Sequence, residues 1–96
     1  MNDIKQLWHE WKQLPFPATV AGKKIEGLAP EEISATASRC IGTFLDANGE
    51  LGAEHTGMLR KCMSDMQIVN PKCVGDAQVY FGKLYRLCDL VSSRLP

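Results

Sequence analysis

Four cysteines, Cys40, Cys62, Cys73 and Cys88, are the residues best equipped for chemistry in this chain. A thiolate is a nucleophile and a soft metal ligand, and two thiols can close a disulfide. No pair has the CxxC spacing of a redox dithiol or a zinc knuckle. Cys40, Cys62 and Cys88 each fall in the apolar register of an expected helix, where a free cysteine behaves as a small hydrophobe. Cys73 lies near an expected helix start, where a thiol can be acidified, and is the one to test for reactivity.

The histidines add little. His9-Glu10 could open a zinc-protease motif, but the second histidine would have to stand at position 13, which is Gln13. His55 lies in line with Leu59 and Cys62. His55, Cys62 and Cys88 supply the donors of an alternative reading, a bundle that binds a small ligand or metal, or does thiol redox chemistry, in its interior. A histidine and a cysteine two turns apart fall short of the four ligands of a structural zinc site. Asp46-Ala47-Asn48-Gly49-Glu50 sits between two helices as a calcium loop would, yet loop positions six and twelve hold Leu51 and Gly57 instead of glycine and an acid. Ala21-Gly22-Lys23-Lys24 lacks both the upstream glycine and the hydroxyl residue of a phosphate loop. No serine has a GxSxG context, and no nucleophile stands beside a base. The sequence therefore assigns no catalytic residue, no metal ligand and no cofactor, and an enzyme is not the expectation.

Lysine plus arginine balances aspartate plus glutamate, eleven each. A zero balance sets up no long-range field toward nucleic acid or an anionic membrane, and gives little protection against association. The start, MNDIKQLWHEW, lacks the basic and apolar regions of a secretory signal, and apolar runs are only a few residues long. A cytoplasmic protein with reduced thiols is the expectation.

The elements that would position these residues follow from hydrophobic period. Val74, Ala77, Phe81, Leu84, Cys88, Val91 and Leu95 recur at spacings of three and four, one face of a long C-terminal helix. A first helix is expected over 3–14, carrying Ile4, Leu7, Trp8, Trp11 and Leu14, with Asp3 and Gln6 as a capping box and Pro15 as its stop. A second begins at Pro30, with Glu31 and Glu32 at the positive end of its dipole, and ends at Asn48-Gly49. Ile33, Ala37, Cys40, Ile41, Phe44 and Leu45 make its apolar face. A third runs from about Ala53 to Val69 on Leu59, Cys62, Met66 and Val69, and Asn70-Pro71 ends it. The last helix starts either there or at the Gly75-Asp76 break. Residues 15–29 are least regular. Ala18–Val20 and Ile25–Gly27 could pair as a short β-hairpin around Gly22-Lys23-Lys24, and this long connection is the first candidate for a recognition loop.

The reading is one all-α domain over residues 1–96, a small four-helix fold. Helices two, three and four are antiparallel neighbours, and the N-terminal helix packs across them. Its expected role is that of a non-catalytic interaction or regulatory protein presenting a helical face to a protein partner. Trp8, Trp11, Phe16, Tyr80 and Tyr85 are the expected contacts, since tryptophan and tyrosine combine large area with few rotors. Apolar surplus on the first and last helices also raises a homodimer through them.

Overall fold

Ala77, Phe81, Leu84, Cys88 and Val91 all lie buried on one side of the last helix, and the rest of the chain is wrapped around that side. In the computed structural model, which describes residues 2–96, the helices are α1 (Asn2–Lys12), α2 (Pro30–Asp46), α3 (Ala53–Val69) and α4 (Gly75–Ser92). Links of a few residues fold α2, α3 and α4 back on one another as antiparallel neighbours. α4 touches each of the other three helices, so Tyr80 and Leu87, beside the main seam, are buried as well. The apolar surplus on α4 is thus taken up largely by α1 packing on it within the chain. Among the described residues no helix is long and apolar enough to cross a membrane.

Local chemistry explains the helix ends. Pro30 occupies the first turn of α2, where its missing N–H costs nothing, with Glu31 and Glu32 beside it at the positive end of the dipole. At the other end Asn48 and Gly49 both turn left-handed, and the Gly49 N–H donates to the Phe44 carbonyl at 2.8 Å. α3 buries the expected stripe of Leu59, Cys62, Met66 and Val69.

Four local expectations are corrected. Of the two starts expected for the last helix, the Gly75-Asp76 break is the one taken: Asn70–Lys72 form a 3₁₀ turn, and α4 starts at Gly75, whose φ of 59° suits glycine. Val74 is therefore extended (φ −135°, ψ 161°), out of phase with the seam, and 76% exposed. Leu95 lies past the end of α4 and reaches the core only partly buried. The Asp3–Gln6 capping box does not form, because α1 already includes Asn2 and places Asp3 inside its first turn. Asp3 instead accepts from the Ile4 N–H at 2.9 Å and pairs with Arg94 at 3.1 Å, while Gln6 bonds Glu10. The Arg94 guanidinium holds the Asp3 carboxyl below its usual range, joining the first turn of the chain to its last.

The fourth correction concerns the hairpin. Ala18–Val20 form a 3₁₀ turn that drives Val20 into the core, and the β pairing shrinks to one antiparallel bridge, Ile25 to Leu28. Its turn is not Gly22-Lys23-Lys24 but Glu26-Gly27, where φ is 52° and 78° and both Ile25–Leu28 backbone bonds close at 2.8 and 2.9 Å. Two successive positive φ values are the signature of a tight two-residue turn. A lone hairpin has no sheet to join, so apolar anchoring of Val20 decides the path. Gly27→Ala should lower stability by about 1 kcal/mol, since a Cβ strains this backbone although space is open around it; a urea midpoint falling at unchanged slope would register it.

Candidate functional site

The thiols are placed for packing. All four are free and buried. Cys40 Sγ donates to the His55 carbonyl at 3.5 Å, Cys62 Sγ to the Ile33 carbonyl at 3.8 Å and Cys73 Sγ to the Val69 carbonyl at 3.5 Å. Burial pushes every one of them upward, Cys62 to about 11. For Cys73 this reverses the expected acidification. The helix starts two residues later than its position would need, and the side chain turns into the core instead of facing the first-turn N–H groups. His55 is half-buried, and it reaches Cys40 through its carbonyl, not its ring. Among the described residues no three His, Cys, Asp or Glu side chains converge as metal ligands.

The aromatic residues do converge. Trp8 stacks on Trp11 at 5.7 Å, Trp11 meets Tyr80 at 5.1 Å, and Phe16 meets Tyr80 and Phe81 edge-on at 5.4 and 6.1 Å. These rings run from α1 through the connection onto α4 in offset and edge-to-face contacts, the arrangements that ring quadrupoles favour. Two polar bonds fix them. Trp11 Nε1–H donates to the Tyr80 carbonyl at 3.2 Å, and the Tyr80 hydroxyl is 2.6 Å from Ser34 Oγ on α2. Burial raises the Tyr80 hydroxyl above its ordinary value, and the Ser34 bond partly offsets that.

Of the five residues expected as contacts, four are therefore brought together, but at different depths. Trp11 and Tyr80 are only 5% and 6% exposed and belong to the core. Trp8 and Phe16 are half-buried at its edge, Trp8 under the ammonium of Lys12 at 5.3 Å. Tyr85 stands apart. It is half-buried on another side of α4, where its hydroxyl accepts from Gln67 Nε2 at 3.0 Å.

Beside Phe16 the connection does not lie flat on α4. It leaves a groove of about 430 Å³ walled by Leu14, Pro15, Phe16 and Pro17 on one side and by Val79 and Tyr80 on the other. Pro15 and Pro17 fix the backbone of the first wall, and Phe16 is held by the two rings beneath it. Val79 is 51% exposed, and Asp76 at one end is the single charged residue lining the groove. Sequence reading singled out Phe16 and Tyr80 but missed Val79. Its signal was an apolar residue standing off the seam of α4, between the buried Ala77 and Phe81. The chain matches no family model, no curated protein and no solved structure.

Proposed function

We propose that this chain is a small non-catalytic interaction protein that docks a partner protein on the face formed by residues 14–18 and the first half of α4. The observation that carries this reading is the apolar groove with stiff walls between Phe16 and Val79. Its walls are ordered by prolines and ring contacts before anything binds, so little conformational entropy remains to be lost on docking. The groove is apolar with an acid at its rim, the composition of a pocket that takes one large side chain. The thiol-redox and metal alternative has no comparable support, because Cys62 and Cys88 are inward-packed and His55 turns its carbonyl, not its imidazole, to Cys40.

Val79→Asp tests this reading without touching the core, since Val79 is half exposed. The wild-type chain used as bait should retain a protein that V79D loses by about tenfold or more, while Ile68→Asp, at an exposed apolar position on α3, retains it. Light scattering of the same three proteins reads whether the occupant is a second copy: a dimer dissolved by V79D alone identifies it as one. If V79D keeps every wild-type partner and oligomeric state, the groove is not the docking site.

A further inference from the structure

A second cavity, of about 250 Å³, opens where the connection meets the start of α4, and it is ringed by lysines. Lys23 and Lys24 come from the turn after Val20, and Lys72 comes from the 3₁₀ turn before α4. Val20, Ile25 and Ala77 line it from the core side, and Thr19 and Val74 from the rim. In a chain with zero net charge, three of the eleven basic residues surround one small cavity. Net composition gives no reason for this, so it comes from the path of the chain.

That path is held in place. Gly22 takes a φ of 70°, its N–H donates to the Glu31 carboxylate, and the Lys23 N–H donates to the Val20 carbonyl at 3.2 Å. Among the described residues neither Lys23 nor Lys24 has an ion-pair partner. Lys72 has a loose one: its Nζ is 3.8 Å from Glu26 Oε1, and both side chains are mostly exposed, so the pair holds Lys72 only weakly. Of the other carboxylates near this turn, Glu31 accepts from the Gly22 N–H and Asp76 lines the neighbouring groove. The lining therefore holds two lysines without an ion-pair partner and one in an exchangeable pair, together with apolar residues that pack on the core. The first turn of α4, beneath Val74, carries no side-chain cap.

We infer that this cavity binds a small ligand with an oxyanion head, a phosphate or carboxylate group received by Lys23, Lys24 and Lys72, with its apolar body resting on Val20 and Ile25. The ammonium groups act as point charges with three donors each, so they accept either head group without demanding one planar geometry. The volume lies just under the range of about 300–1,000 Å³ occupied by drug-sized ligands, which limits the ligand to a small one. The site is separate from the groove at Val79, so the two readings stand or fall apart from each other.

Amide NMR of the full chain tests it, with inorganic phosphate and acetate titrated separately at pH 7 and sodium chloride at matched ionic strength as reference. Saturable shifts confined to the amides around Lys23, Lys24, Lys72 and Ala77 are expected with at least one of the two oxyanions. Saturation by phosphate alone assigns a phosphorylated ligand, and saturation by acetate assigns a carboxylate. Lys24→Gln combined with Lys72→Gln should weaken that binding about tenfold. Both lysines are exposed, so the variant's spectrum should stay dispersed as in the wild type. Shifts that follow chloride without saturating, or a double variant that titrates like the wild type, overturn the inference.

Discussion

Replacing Phe81 by alanine should cost the protein about 3–5 kcal/mol of folding stability, the range for emptying a buried phenyl site. Phe81 is fully buried at the centre of α4 and meets Tyr80 at 5.0 Å and Phe16 at 6.1 Å. Its removal therefore strips contacts from the last helix and from the connection at once. A domain of this size has about 5–15 kcal/mol in total, so F81A should remove a large share of it. Urea unfolding followed by circular dichroism reads the change as a lower midpoint. Val74→Ala gives the contrast. Val74 belongs to the same seven-residue pattern in the sequence, yet at 76% exposure it has almost no packing to lose, and the substitution should stay within about 0.5 kcal/mol of wild type. A loss below about 1 kcal/mol for F81A would mean that α4 is not the element the other helices pack around.

The Phe81–Val74 pair also marks where the sequence was legible and where it was not. Period and punctuation define elements that pack through one continuous face. α3 was expected from Ala53 to Val69 and spans those residues, because Val69-Asn70-Pro71 ends it with a proline that cannot extend it. The entry of α2 was readable from Pro30 and two glutamates for equally local reasons. The start of α4 was not. Asn70-Pro71 and Gly75-Asp76 are both reasonable helix openings, and the choice fell to tertiary placement of Cys73 in the core. The connection defied local reading for the same reason: Val20 and Ile25 look like strand residues until the core beneath them bends the chain. Trp8 and Trp11 share one stripe of α1, so no periodicity could rank them. The ranking came from the Tyr80 carbonyl, 69 residues away in the chain, which accepts the Trp11 indole N–H and leaves Trp8 outside. The groove has the same origin. Phe16 could be suspected from its type, but that it faces Val79 follows only from how the connection crosses α4.

The thiols should be almost silent in the native protein, and the size of that silence is the second large effect. Each cysteine is buried, so a reagent such as an aromatic disulfide must wait for local or global opening. Burial also withholds the thiolate. At pH 8 a thiol with the ordinary value of 9.0 is about one-tenth ionised, whereas Cys62 at about 11 is about a hundredfold less so. Native labelling of Cys62 should therefore run at least about a hundredfold slower than in urea, where all four thiols react together. The same burial gives stability a direction with pH. Below pH 9 native and unfolded states both keep the Cys62 proton, and nothing changes. Between 9 and about 11 the unfolded chain releases it while the native chain holds it, so rising pH favours unfolding until the native thiol ionises as well. Cys88, more deeply buried, is shifted in the same direction and steepens the fall. Cys62→Ala should flatten that alkaline slope, measured as unfolding midpoint against pH, even if it lowers the midpoint everywhere. One fast-reacting native thiol at neutral pH would contradict this account and return the interior cysteines to the list of groups with chemistry to do. Uniformly slow labelling, released together by denaturant, would leave them as packing residues whose protons the fold retains.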